Sequence, residues 1–236
     1  MTTTEITKGK VKTVFTTSEP DKVLIQYENR VTAGNGKKID YPEGKGKVCM
    51  EISAFLFEML EGMGIKTHYL DTFPERIMSC KKVNILPLEV IVRNITAGSI
   101  CRQTTIPEGK LLMTPLVEFH LKDDSKDDPL LTYDRMKLMG YDPEEFIGTA
   151  LQINRQLIKI FFDIGFDLVD FKIEFGDDSE GNLLLADEIS PDSCRLWKTG
   201  TRESFDKDLF RNDKGDIVEA YRNILNQLLT KIGHTA

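Results

Sequence analysis

The 236-residue sequence has no apolar run approaching the roughly 20 residues that a transmembrane helix needs. Its N-terminus, MTTTEITKGKVK, carries no apolar h-region, so no signal peptide is expected. Cys49, Cys80, Cys101 and Cys194 are scattered without a CxxC pair and read as reduced thiols of a cytoplasmic protein. His68, His120 and His234 lack the mutual spacing of a zinc site. Also missing are a GxxxxGK loop followed by Ser or Thr, a GxGxxG turn after a strand, a GxSxG elbow and a familiar Cys–His spacing. Positive charge is not in excess. Lys and Arg total 31 against 38 Asp and Glu, a net charge of −7, which argues against nucleic-acid and membrane-surface partners.

What remains is an ordinary globular composition, 40% apolar and 29% charged, with length enough for a well-buried core. There is no internal repeat and no low-complexity linker. Short β patterns open the chain at Gly9–Thr16 and Lys22–Glu28 and break at Ala33-Gly34-Asn35-Gly36. In the first of these Lys10, Lys12 and Val14 share one parity and Val11 and Phe15 the other, so the lysines fall on one face. Solvated lysines of an edge strand would look the same. After Gly44-Lys45-Gly46-Lys47 a helix is expected, with Val48, Ile52, Phe55, Leu56, Met59, Leu60 and Met63 at helical spacing and Gly62 and Gly64 as the stop. Short strand-like pieces follow at 67–71, 76–81 and 82–85. The segment EVIVRNI, Glu89–Ile95, sets Glu89, Ile91, Arg93 and Ile95 on one face before the small turn Ala97-Gly98-Ser99.

KDDSKDDP, 122–129, is a charged loop. Asp142-Pro143 is an N-cap with proline at the first helical position and Glu144 and Glu145 in the first turn. It predicts a long helix burying Phe146, Ile147, Ala150, Leu157, Ile158, Phe161 and Phe162 and ending at Gly165. The last helix carries Ile217, Tyr221, Ile224, Leu225, Leu228 and Ile232 as its apolar stripe. The class expected is α+β.

Between these helices lies the most informative stretch, Asp170–Trp197, which reads as a hairpin and an exit loop. Phe171, Ile173 and Phe175 point one way, Asp170, Lys172 and Glu174 the other. A second limb, 183–189, is apolar until Asp187 and Glu188, and pairing of the limbs returns Asp187 beside Lys172 and Glu174. Charges gathered on a half-buried face need compensation. Glu174 and Asp187 suit Mg²⁺, which takes one or two carboxylates together with phosphate oxygens and water; a structural network around Lys172 explains the same residues. By parity Glu188 belongs to the opposite face, structural or solvent-facing. Arg93, Ser99 and Arg195 suit a small anion, a guanidinium fork beside a hydroxyl in a Gly-flanked turn; a buried pairing of Arg93 with Glu89 is the competing reading. Pro191-Asp192-Ser193 looks like a tight turn with Asp192 as an Asx cap, and Trp197 like core or interface.

These motifs, in order, resemble one family over nearly the whole chain: GKVKTVF, AGNGKK, VIVRNITAGS, LKDDSKDDP, and above all DFKIEFG followed by LLLADEISPDSCRLW, with KDLFR and the final helix. The family is that of phosphoribosylaminoimidazole-succinocarboxamide synthase, or SAICAR synthetase. The resemblance implies an ATP-dependent carboxylate–amine ligase of purine biosynthesis that joins L-aspartate to 5-amino-1-(5-phospho-D-ribosyl)imidazole-4-carboxylate, giving the succinocarboxamide, ADP and phosphate by way of an acyl phosphate.

It implies a two-lobed α+β fold. Residues 1–84 form an antiparallel β lobe covering ATP much as a protein kinase's small lobe does, and residues 85–236 an α/β lobe for substrate and metal. It implies that Lys10, Val11 and Lys12 approach ATP, that 82–86, with Lys82 and Ile85, is the hinge beside adenine, and that Lys122 lies near the nucleotide. Glu174 and Asp187 would hold Mg²⁺, and Arg93, Ser99 and Arg195 the ribonucleotide phosphate, with Asp128 a further substrate contact. Lys172 and Asp170 would lie near the reacting groups, and Asp170 or Asp192 would serve as general base. Partners are small molecules, with a homodimer expected and no nucleic acid or membrane. Asn35 stands where some relatives carry Asp, so no charged role is assigned there. A related ligase or small-molecule kinase, and a non-catalytic nucleotide-binding regulator, are the competing readings; the regulator is disfavoured because both metal carboxylates are present.

Overall fold

Two antiparallel sheets and the helices packed on them account for the alternating patterns, as the computed structural model shows for residues 3–34 and 36–231. Asn35, Ile232 and His234 lie outside the described residues. The chain opens with β1 (Glu5–Lys8), β2 (Lys12–Thr16) and β3 (Lys22–Tyr27), then a small ribbon of β4 (Val31–Ala33) and β5 (Lys38–Asp40). Helix α1 (Lys45–Gly62) follows, then β6 (Tyr69–Phe73) and β7 (Ile77–Lys81), completing a first sheet in the order β1-β2-β3-β7-β6. The expected first strand is therefore two strands. A turn at Gly9–Val11 separates them, so Lys10 is a turn residue and Lys12 begins β2.

The second sheet is built from β8 (Asn84–Ile85), β9 (Leu88–Ile95), β10 (Leu111–Leu121) and β11 (Leu130–Leu131), with α2 (Ser99–Gln103) after β9 and α3 (Tyr133–Leu138) and α4 (Pro143–Asp163) after β11. It is completed by β12 (Phe166–Asp177), β13 (Leu183–Ala186) and β14 (Cys194–Lys198), and the chain continues through α5 (Asp208–Arg211) and α6 (Ile217–Lys231). Both sheets are antiparallel, the α+β class expected. Position 84/85 falls inside β8, which pairs with β12. Strand β12 is the spine: its first half pairs with β9 on one side and β14 on the other, its second half with β13 and β8. Among the described residues no helix is long and apolar enough to cross a membrane, and all four cysteines are free.

One continuous core runs beneath both sheets. Helix α1 buries Val48, Ile52, Leu56 and Leu60 against β3, β6, β7 and α6, as its spacing predicts. Helix α4 starts at the expected cap, where Asp142 Oδ1 accepts from the Glu144 backbone N at 3.1 Å. Its buried arc differs from the one read in the sequence. Phe146, Ala150, Ile153, Asn154, Leu157, Ile160 and Phe161 face inward, while Ile158 is 38% and Phe162 61% exposed. The arc takes in a polar residue because Asn154 and Asn94 of β9 exchange amide hydrogen bonds, both 2.9 Å, in the interior. Trp197 packs with Ala97 and Val169 in a small separate cluster.

Replacing Asn154 by Ala leaves the Asn94 carbonyl buried without its donor. Stability should fall by about 1–3 kcal/mol, read as a lower urea midpoint at unchanged slope; an unaltered midpoint would show that the pair carries no stabilisation.

Candidate active site

A cleft of about 1600 Å³ lies between the β1–β2 turn, the face of β9 and β12, and the loops after β9 and β13. All the residues singled out in the sequence line it except Lys82, which is exposed and whose backbone N donates to Asp21 O at 2.8 Å. Its floor is the polar face of β12. Phe171, Ile173 and Phe175 are buried on the other side, Phe175 edge-on to Phe146 with ring centroids 5.6 Å apart. Lys172 Nζ donates to Glu89 Oε1 at 2.7 Å and to Glu174 Oε1 at 3.0 Å, and Lys122 Nζ donates to the other oxygen of Glu174. Burial alone would lower the Lys172 pKa, but Glu174 and Glu89 hold it above the ordinary lysine value.

The second limb of the hairpin is shorter than expected. Strand β13 stops at Ala186, and Asp187 adopts a left-handed backbone with φ 66°. Such a conformation is uncommon outside glycine, though Asp tolerates it better than most residues. It breaks the alternation, so Glu188 turns into the cleft instead of away from it. Lys12 Nζ ion-pairs with Asp187 and with Glu188 Oε1, the latter at 3.2 Å. Glu188 is 5% exposed, which corrects its placement on the opposite face and excludes the solvent-facing alternative. Lys12 is likewise an enclosed ion pair and not a solvated edge lysine. Burial opposes the charge on both Lys12 and Asp187, yet their mutual attraction prevails: Lys12 is held well above its ordinary value and Asp187 below.

The far end is an alternating chain of charges. Arg93 is not the partner of Glu89. Its Nε donates to Glu118 at 2.6 Å, Nη1 to Asp170 and to Ala97 O at 3.1 Å each, and Nη2 to Ser99 Oγ at 2.7 Å. Arg195, paired across from Asp170 on β14, donates through Nη1 to the same Asp170 oxygen and through Nε to Asp208 at 2.7 Å. Gly98 makes room for it: its φ is 70°, and a Cβ there would stand 2.8 Å from Arg195 Nη2. Asp206, buried beneath this end beside Asp208, accepts from the Leu196 and Asp208 backbone N at 2.7 Å each, and burial pushes it up to about 7. Asp192 is no simple turn cap: its carboxylate accepts from Lys45 Nζ and from Tyr221 Oη at 2.8 Å. Asp128 sits at φ 44°, and its Oδ1 accepts from the Asp123 backbone N at 2.8 Å.

Glu118, Lys45, Lys207 and Asp208 were given no role in the sequence, and Glu188 was assigned to the wrong face. Only Lys45, between two glycines at a helix start, and the KDLFR segment carried a local signal. The hard-oxygen pair Glu174 and Asp187 fits Mg²⁺ held partly by a ligand's phosphates. Among the described residues no three His, Cys, Asp or Glu are grouped to hold a metal ion unaided.

Fold and site together define a class: an α+β protein whose cleft of fixed arginines, lysines and carboxylates is built for small phosphorylated and carboxylated molecules. A family model described as SAICAR synthetase matches residues 5–228, and the chain belongs to that family. It is 47% identical to the phosphoribosylaminoimidazole-succinocarboxamide synthase of Nostoc punctiforme, over 97% of this chain and 96% of that one. A solved SAICAR synthetase (Type-2) in complex with ADP superposes with a TM-score of 0.90 at 39% identity, covering 94% of this chain and 96% of that one. The phosphoribosylaminoimidazole-succinocarboxamide synthase of Ehrlichia chaffeensis gives 0.92 at 37%, covering 95% and 98%.

The Asp187 carboxylate is held below its ordinary value, so it contributes stability that is present above the unfolded pKa of about 3.9 and lost as pH falls below it. Asp187→Asn should therefore destabilise by about 3 kcal/mol, equally at pH 7 and pH 5, with the deficit shrinking only below about pH 4. Urea titrations at the three pH values check this; a gap that closes between pH 7 and 5 would contradict the pairing.

Proposed function

We propose that this protein ligates L-aspartate to 5-amino-1-(5-phospho-D-ribosyl)imidazole-4-carboxylate with cleavage of ATP to ADP and phosphate, forming SAICAR in purine biosynthesis. The observation that carries the reading is the cleft itself. In a chain of this family, Lys12, Lys122 and Lys172 with Glu174 and Asp187 lie at one end of a single opening and Arg93, Ser99 and Arg195 at the other. The likeness to a relative solved with ADP supports placing ATP at the first end.

The carboxylate of the ribonucleotide is a poor acyl donor because its leaving group would be oxide. Phosphorylation by ATP turns it into an acyl phosphate, which the aspartate amine attacks with loss of phosphate. In this reading Lys12 and Lys122, together with Lys10 at the β1–β2 turn, receive ATP phosphates, with Val11, Ile85 and the 82–86 backbone around the adenine. Lys82 would act through that backbone, since it does not line the cleft. Lys172 neutralises charge at the reacting carboxylate. Arg93, Ser99 and Arg195 grip the 5′-phosphate, with Asp128 at the margin. Catalysis is then mostly positioning and electrostatic stabilisation.

Mg²⁺, held by Glu174 and Asp187, would supply charge neutralisation on the transferred phosphoryl group. Asp170 and Asp192 serve better as struts than as general bases, because the Arg93–Arg195 pair and the Lys45–Tyr221 pair already occupy them. The division into an ATP-covering lobe, 1–84, and a substrate lobe, 85–236, a homodimer and a cytoplasmic location complete the proposal.

ADP release should require both L-aspartate and the imidazole carboxylate, with SAICAR as product. ADP release without aspartate, or with another carboxylate–amine pair only, would replace this reading by a related ligase or kinase. Arg195→Lys, which loses the two-pronged fork, should raise KM for the ribonucleotide at least about tenfold and leave KM for ATP nearly unchanged. A KM for ribonucleotide within about twofold of the parent would remove Arg195 from the phosphate seat.

A further inference from the structure

One side chain, that of Lys38, joins the AGNGKK segment to the KDLFR segment. Its ammonium donates to Phe210 O and to Asp213 Oδ1, the latter at 2.6 Å, and stands 4.5 Å from the centre of the Phe210 ring. Both of the elements it connects line the cleft. Thr32, Ala33 and Gly34 come from the β4–β5 ribbon and its tip, Lys207, Asp208 and Arg211 from α5 and the residue before it.

Neither element is built to hold itself. The ribbon has two strands of three residues and pairs with neither larger sheet, and an isolated two-stranded hairpin is marginal in water. Helix α5 is a single turn of four residues, too short to form unaided. Asp206 fixes its start by accepting from the Asp208 backbone N at 2.7 Å. At its other end the carbonyls need partners. Asp208 O accepts from Asn212 N at 3.0 Å and Leu209 O from Lys214 N at 2.9 Å, both local. Phe210 O accepts instead from Lys38, far away in the chain. A lysine suits this place because the carbonyl end of a helix carries partial negative charge. The Asp213 side chain is 84% exposed, and an exposed ion pair contributes little. The carbonyl and the ring are the contacts that count.

What α5 brings to the phosphate end is Asp208, whose carboxylate accepts from Arg195 Nε at 2.7 Å and from Arg211 Nη1. A displaced turn would carry Asp208 with it and leave the Arg195 guanidinium free to rotate. We propose that Lys38 is a positioning residue for the ribonucleotide. By capping α5 from the ribbon it holds Asp208, and through Asp208 the plane of Arg195, in the geometry that receives the 5′-phosphate. Lys38 does not itself line the cleft, so its effect reaches the ligand through these contacts.

This role rests on the proposed function and is tested by kinetics on variants whose thermal melts show them folded. Lys38→Met, which keeps the aliphatic stem and loses the donor, should raise KM for the imidazole carboxylate at least about threefold and leave KM for ATP within about twofold. Lys38→Arg should restore most of the loss, and Asp213→Asn should leave both constants within about twofold. The deciding measurement is the double variant of Lys38→Met with Asp208→Asn. Its KM for the imidazole carboxylate should match that of Asp208→Asn alone within about twofold, because one path carries both effects. A smaller rise in Lys38→Met, or effects that multiply in the double variant, overturns the positioning role while the parent enzyme still makes product. A parent enzyme that makes no SAICAR overturns the proposed function and this role with it.

Discussion

One ion pair between the two sheets sets the geometry on which the cleft depends. Lys12 begins β2 of the first sheet, and its ammonium ends between Asp187 and Glu188, just past β13 of the second. A buried pair of this kind contributes little net stability, because desolvation consumes most of the attraction, whereas removing one member is costly. Its consequence is therefore positional. It fixes how closely the roof sits over the floor, and it gathers a lysine and two consecutive carboxylates at the edge of the opening. The left-handed backbone at Asp187 serves the same end: a local conformation of about 1–3 kcal/mol strain brings two consecutive carboxylates to one cation.

How far the sequence could be read follows from where its periods stay regular. DFKIEFG alternates without interruption, and β12 is regular there, so the polar face of Asp170, Lys172 and Glu174 was legible, as was the face of β9. Glu188 was misread for a local reason, since alternation carries across a strand only while φ stays extended, and at Asp187 it does not. The helix arc of α4 was misread for another. Its sequence has more apolar residues than the buried side can take, and the interior accepted Asn154 because Asn94 met it there. Strand β10 went unseen. Pro115 sits inside it, and its N-terminal half holds Leu111 and Met113 at 70% and 98% exposure, a stretch with neither a buried face nor an alternating one.

The site was legible as a set of residue types and not as a network. Arg93, Asp170 and Arg195 are dispersed along the chain, and their meeting on one carboxylate oxygen depends on β9, β12 and β14 lying side by side. The partners that orient them, Glu118 on an unrecognised strand and Asp208 on a four-residue helix, left no periodic trace. The family resemblance supplied what the spacing could not, because ordered motifs report a three-dimensional arrangement that no single window contains.

The network also decides what kind of attraction can act on a phosphate. Glu118, Arg93, Asp170, Arg195, Asp208 and Arg211 alternate in sign, so three arginines face three carboxylates and the cluster is neutral as a whole. Net field is then a weak source of affinity at this end, and any polyanion of the right charge would be a poor competitor. What is left is direction. The carboxylates fix both guanidinium planes before a ligand arrives, Gly98 lets one of them lie against the backbone, and the Ser99 hydroxyl stands beside the other. Donors already aimed need no reorganisation on binding, which favours a ligand whose oxygens match their geometry over one that merely carries charge.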